Sequence, residues 1–101
     1  MYYYQPPPLV PPTPEFISAT GTIKNNNFGK VTVIPKPGYT LFGFYGYAPA
    51  DGSNYKVFPT KIETSILGEK LEIFFYNDNS GTDVEMEVKL WQIEKPRPPQ
   101  S

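Results

Sequence analysis

From Glu15 onward, apolar and polar residues alternate in short runs with a period of two, the pattern of strands with one dry face and one wet face. The last run is the clearest, with Val84, Met86, Val88 and Leu90 alternating with Glu85, Glu87 and Lys89. Its wet face then continues with Trp91 and Ile93, which need a cover: a loop, the N-terminal arm or a neighbouring subunit, of which a subunit is favoured. In the preceding run Leu71, Ile73 and Phe75 share one face while Glu72, Phe74 and Tyr76 share the other, so Phe74 and Tyr76 are expected to point away from the core. Ile62 and Ile66 face inward beside Thr64, with Lys61, Glu63 and Ser65 outward.

These runs predict strands over 16–24, 30–35, 40–48, 60–67, 70–77 and 83–94. Turn signals separate them at Asn25-Asn26-Asn27, Pro37-Gly38, Ala50 to Asn54, Gly68 and Asn77 to Gly81, too often for helices of ordinary length. The turn 77–81 is expected to join the last two strands as a hairpin. The stretch from Leu41 to Tyr47 is apolar on both faces and broken by Gly43 and Gly46, which predicts a central strand buried on both sides with a bulge at the glycines. The fold class is all-β, an antiparallel β-sandwich or jelly roll spanning residues 15–95.

Residues 1–14 have a different texture. Tyr2, Tyr3 and Tyr4 are followed by Pro6, Pro7, Pro8, Pro11, Pro12 and Pro14, which fix φ and remove backbone donors, so this arm is expected to be extended polyproline II. A proline-rich tail, 96–101, mirrors it. PxxP spacings occur at Pro8 to Pro11, Pro11 to Pro14 and Pro96 to Pro99, the kind of segment that SH3-type domains bind, though any proline-dense stretch contains them.

Composition narrows the chemistry. The chain has 101 residues with neither cysteine nor histidine, which removes disulfides, the commonest metal ligands and the usual general base near neutral pH. Nine basic and ten acidic residues are spread along the body, with no basic cluster to neutralise phosphates, so nucleic-acid binding is not expected. The first residues carry neither a positive n-region nor an apolar run, and no stretch is long enough to cross a bilayer as a helix; neither signal-peptide export nor membrane insertion is expected. A body this small buries roughly 60–65% of the surface of its unfolded chain, which leaves a subunit partner as one source of added stability.

The order of elements carries a resemblance. Val31-Thr32-Val33-Ile34 is followed by Lys36-Pro37-Gly38-Tyr39-Thr40, the glycine-interrupted run Leu41 to Gly46, a polar loop, the run Leu71 to Ser80 and the alternation Val84 to Trp91. Over residues 30–94 this resembles the small β-sandwich domains of phage virion structural proteins of the tail-fibre, head-fibre and decoration type. The resemblance implies a non-enzymatic protein without cofactor, made in the host cytoplasm and incorporated in the virion. It further implies a homo-oligomer, with a trimer favoured, that contacts other virion proteins or a cell-surface saccharide. Fibres usually carry a long shaft, whereas this chain has fourteen arm residues, which favours a short decoration or accessory head protein or a fibre fragment.

Candidate sites follow from these readings. Phe74, Tyr76, Trp91 and Ile93 are the expected oligomer interface; Tyr2, Tyr3, Tyr4, Pro6, Pro7 and Pro8 are the expected particle-docking segment. A monomeric carbohydrate-binding module is the alternative, stacking sugar on Tyr39, Tyr45, Tyr47, Tyr55 and Trp91 with Asp51, Asn54 and Asn79 as hydrogen-bonding partners. An adaptor presenting PxxP ligands is the other. Asp78, Asn79 and Asp83 lack the glycine placement of an EF-hand loop and read as turn caps. Glu85 and Glu87, two apart on one face, have the spacing of a glycosidase pair but read as the solvated stripe of an edge or half-exposed strand, with no nucleophile motif or phosphate loop beside them.

Overall fold

In the computed structural model, which describes residues 12–65 and 68–96, the alternating runs become six strands. They are β1 (Glu15–Ile23), β2 (Asn27–Val33), β3 (Tyr39–Pro49), β4 (Val57–Thr64), β5 (Leu71–Asn77) and β6 (Val84–Glu94). Each falls within a few residues of its expected place, and no helix occurs among the described residues. The strands form two antiparallel three-stranded sheets, one in the order β1-β6-β3 and the other β2-β5-β4. The prolines and tyrosines of residues 1–11, the tail 97–101 and Ile66 lie outside the described residues.

The two sheets share one core because the alternation puts the apolar face of each toward the other. Val84, Met86, Val88 and Leu90 of β6 meet Leu71, Ile73 and Phe75 of β5, with Ile23, Val31 and Val33 completing the cluster. Full burial of such side chains contributes about 1.5–3 kcal/mol each. Phe75, Ile73, Val88 and Ile23 have no exposed surface at all.

Two expectations are corrected here. The turn after Asn77 does not close a hairpin, because β5 and β6 belong to different sheets and residues 78–83 carry the chain between them. Nor is β3 central: β5 and β6 occupy the middle positions, and β3 is an edge strand. Its register slips between Leu41 and Gly43 and again between Phe44 and Gly46, leaving Phe42 and Tyr45 as extra residues without a partner on β6. The glycines do mark bulges, but the two-sided apolar pattern arises because the bulges turn aromatic side chains outward, not because both faces are buried. By the same topology β6, which carries Glu85 and Glu87, is not an edge strand.

The two long sides of the molecule differ. On one, β1 and β2 pack so closely that a Cβ on Gly21 would lie 2.8 Å from the Lys30 carbonyl oxygen, and one on Gly29 would lie 2.9 Å from Ile23 Cδ1. The connecting turn is made by Asn25 and Asn26, the latter at φ 50°, a conformation that asparagine tolerates. On the other side β3 and β4 leave a mouth between the sheets. Phe44 and Ile62 occupy inward register positions opposite Leu90 and Ile73, yet are 51% and 54% exposed. A groove of ≈ 370 Å³ runs there, lined among others by Leu41, Phe44, Ile62, Leu71 and Leu90. It is closed at one end where Leu41 N–H donates to the Gly68 carbonyl, 2.8 Å.

Buried polar side chains tie the ends. Asn77, fully buried, donates to the carbonyls of Ile23 (2.9 Å) and Thr82 (2.8 Å) and accepts from the backbone N–H of Asn79 (2.9 Å) and its side-chain amide (2.8 Å). At the opposite end Gln92 accepts from Lys36 N–H (3.0 Å) and donates to Glu15 (3.2 Å). The Lys36 ammonium, 2.7 Å from Glu15, is the main reason that carboxyl lies below its ordinary range.

Candidate functional site

With the core filled by the inner faces, the residues available for recognition are the large apolar side chains left on the two outer faces. On the β1-β6-β3 sheet, Phe16 sits directly across from Trp91, their rings 4.9 Å apart at 72°. Tyr45, thrown outward by the second bulge of β3, meets the other side of Phe16 edge-on at 5.4 Å. Such edge-to-face pairs hold aromatic rings in fixed positions, contributing about 0.5–1.5 kcal/mol each beyond area burial. All three remain accessible: Trp91 is 37% exposed, Phe16 48% and Tyr45 66%. Thr13, Pro14, Phe42 and Trp91 border a hollow of ≈ 380 Å³ beside them. Ile93, half-buried, continues the same face next to Thr40.

The outer face of the β2-β5-β4 sheet carries a second patch built by register. Phe28, Tyr76 and Phe58 lie side by side across the three strands, with Phe28 and Tyr76 4.8 Å apart. In the next row Phe74 is flanked by Lys30 and Lys61, whose ammonium groups lie 5.8 and 5.7 Å from its ring centre. Beyond it Glu72 is held between Lys30 (2.7 Å) and Lys70 (2.9 Å), and Lys61 pairs with Glu63. The hydrogen bonds from Lys30 and then Lys70 lower the Glu72 carboxyl below its usual range, and Glu72 in return raises Lys30. This face thus presents an aromatic row bordered by charges that are already paired.

The four residues expected to form one oligomer interface therefore divide. Trp91 and Ile93 are on one outer face, Phe74 and Tyr76 on the other, with the core between them. Phe16 and Phe42 beside Trp91, and Phe28 and Phe58 beside Tyr76, were not singled out from the sequence, and Tyr45 was named for sugar stacking and not for the interface. The available signal was Phe16 and Phe28 falling on the polar phase of their strands, but which strands are neighbours is a tertiary fact.

Of the residues proposed for saccharide binding, Tyr45 and Trp91 both contact Phe16 and Asp51 bonds Tyr55, but the set as a whole is not gathered at one place. Tyr39 starts β3 and donates to Glu15 (3.3 Å), its ring 4.1 Å from the Lys36 ammonium. Tyr47 turns inward onto Phe75 at 5.3 Å. Asp51 accepts from Ser53 N–H (2.8 Å) and Tyr55 hydroxyl (2.9 Å), which lower its carboxyl, so Asp51 and Tyr55 shape their own loop. Asn79 bonds the backbone of Lys56 at both N–H (3.3 Å) and carbonyl (3.1 Å), and Asn54 is exposed.

Asp83 is fully engaged with Asn25 N–H and side chain, both 2.9 Å, and with Lys24, 3.2 Å, which bring its carboxyl down to about 2. Among the described residues no group of three acidic side chains is placed to hold a metal ion. Glu87 pairs with Lys89 at 3.4 Å on the outer face of β6. No described helix is long and apolar enough to cross a membrane. Comparison of the chain with known protein families, with curated proteins and with solved structures finds no match.

Proposed function

We propose that this chain is a non-enzymatic virion structural or attachment protein: a β-sandwich body that assembles as a homo-oligomer, a trimer by preference, and docks to its particle through the N-terminal arm. The class of phage protein rests on the resemblance over residues 30–94. Six strands in two sheets suit a small sandwich better than an eight-stranded jelly roll. The observation that carries the assembly reading is the outer cluster of Phe16, Tyr45 and Trp91, in which Phe16 packs edge-to-face against each of the other two rings while all three stay 37–66% exposed. A rigid aromatic surface of this kind loses little entropy when covered, and each Å² of apolar area removed from water contributes about 25 cal/mol before the costs of association. Only the Trp91 and Ile93 half of the expected interface belongs to this surface.

Light scattering on the purified chain and on Trp91→Glu tests this reading. The wild type should have the mass of a trimer and the variant that of a monomer with an unchanged far-UV spectrum. A monomeric wild type would overturn the assembly reading, and a trimeric variant would remove Trp91 from the interface.

One observation favours a second reading, a monomeric carbohydrate-binding module. The row Phe28, Tyr76 and Phe58 offers ring faces at strand spacing on an open sheet, although the loop tyrosines and Asp51 are taken up in internal contacts. Glycan-array binding lost in Phe58→Ala would support it, and an array without signal would remove it.

A further inference from the structure

We infer that the outer face of the β1-β6-β3 sheet docks on the outer face of the β2-β5-β4 sheet of a second copy, with Trp91 and Ile93 meeting Phe74 and Tyr76 of that copy. This rests on the assembly reading, which places Trp91 in a subunit contact, and it names the surface that receives Trp91. The two central strands carry the observation. Read from its C-terminal end, the outer side of β6 presents Ile93, Trp91, Lys89 and Glu87. Read the same way, the outer side of β5 presents Tyr76, Phe74 and Glu72, with Lys70 just before the strand and 2.9 Å from Glu72. Both rows advance by about 7 Å per step. Laid along each other they set apolar on apolar at the first two steps. At the next two they set opposite charges on each other, Lys89 on Glu72 and Glu87 on Lys70.

Size requires the charged steps as well as the rings. At about 200 Å² for an aromatic side chain, the exposed fractions of Phe16, Tyr45 and Trp91 amount to about 300 Å². A stable contact covers about 800 Å² on each partner, so it has to run on over the rows beyond the aromatic cluster. The flanking strands suit this alignment. Lys30 and Lys61, on either side of Phe74, come level with the row of Phe16 and Trp91, where their ammonium groups gain further ring contacts. Glu63 is the direct neighbour of Glu72, so the ammonium of Lys89 arrives at two adjacent carboxylates. Across from Trp91 and Lys89 on β3 stand Gly43 and Gly46, which leave room for the side chains of the other copy.

A face laid on its own kind fits less well. About an axis along the strands, β6 would set Lys89 on Lys89 and Glu87 on Glu87, like charges whose juxtaposition opposes association. About an axis across the strands, matching Lys89 with Glu87 would set Trp91 on Glu85, which is exposed on the same side. The other face meets the same conflict, since an axis along its strands brings Lys30 over Lys61. Unlike faces avoid these clashes. Because they lie on opposite sides of the core, each copy keeps one free face of each kind, and the contact repeats from copy to copy instead of ending at a pair.

Two variants of the full chain test the pairing of faces. Trp91→Glu spoils one face, and Phe58→Glu, in the row of Tyr76 on an edge strand, spoils the other. Light scattering is read on each variant alone and on their equimolar mixture, at about tenfold the chain concentration at which the wild type assembles, with far-UV spectra checking the fold. Each variant alone should be a monomer, and the mixture should have the mass of two chains. The intact β5 face of the first variant then receives the intact Trp91 face of the second, and no matched faces are left to extend the pair. With an oligomeric wild type, either variant remaining oligomeric by itself, or a mixture that stays monomeric, would overturn the inference and leave the assembly reading standing. A monomeric wild type would overturn both and leave the two faces to a saccharide or a different protein.

Discussion

Replacing Asn77 by aspartate should be among the most damaging changes of a single atom type in this protein. The amide donates to two carbonyls that belong to different parts of the chain, Ile23 at the end of β1 and Thr82 before β6, so it ties the two sheets together at a fully buried point. An ionised carboxylate there loses both donated bonds and turns a negative oxygen toward the Ile23 carbonyl. A buried, uncompensated charge costs about 3–5 kcal/mol, a large part of the roughly 5–15 kcal/mol that stabilises a typical domain. Urea denaturation followed by circular dichroism should show a midpoint lower by roughly 2–3 M for a slope near about 1.5 kcal/mol/M.

The cause has a pH signature. Burial raises the folded-state pKa of the new carboxyl above its unfolded value of about 3.9, because the charged form is the one disfavoured. The charge penalty is therefore absent below the unfolded pKa, grows as pH rises from there toward the folded one, and levels off above it. The difference between variant and wild type, taken at each pH, should be largest at neutrality and shrink toward pH 4. A variant within 1 kcal/mol of wild type at pH 7, or a loss independent of pH, would refute the reasoning; Asn77→Ala, which removes the bonds without adding charge, should show the flat profile.

Gly21→Ala should destabilise by about 1–3 kcal/mol, since the new methyl meets backbone where β1 and β2 touch; at about 4–8 °C per kcal/mol this is visible in a melting curve. Gly46→Ala, with nothing within 4 Å of the added carbon, should leave the melting temperature unchanged or slightly raised, and equal effects from the two would argue against the close corner. Asp83, whose folded pKa of about 2 lies below its unfolded one, supports the fold above pH 4 and loses that contribution as pH falls toward 2, and Glu15 and Glu72 shift in the same direction. Acid titration of Asp83→Ala should therefore show a deficit at neutral pH that narrows on acidification, and a constant gap would count against the ion-pair origin.

The chain by itself determined where its strands lie and which residues meet the core. Side-chain direction alternates with a period of two, so Val84, Met86, Val88 and Leu90, or Leu71, Ile73 and Phe75, announce their burial locally, and Asn and Gly clusters announce the breaks. Pairing is another matter. The polar stretch after Asn77 suits a hairpin and an inter-sheet crossing equally well, and only packing of the two apolar faces against each other sends β5 and β6 to different sheets. The same packing makes β3 an edge and puts Phe74 and Tyr76 on the face opposite Trp91 and Ile93. Asn77 looked like a turn residue because its partner Ile23 is 54 positions away. The mouth exists because the two sheets close on the glycine side, where Gly21 and Gly29 let backbones touch, and stay apart where Phe44 and Ile62 stand. Inward and outward are properties of one strand, whereas covered and uncovered are properties of its neighbours, and those are decided only when the sheets come together.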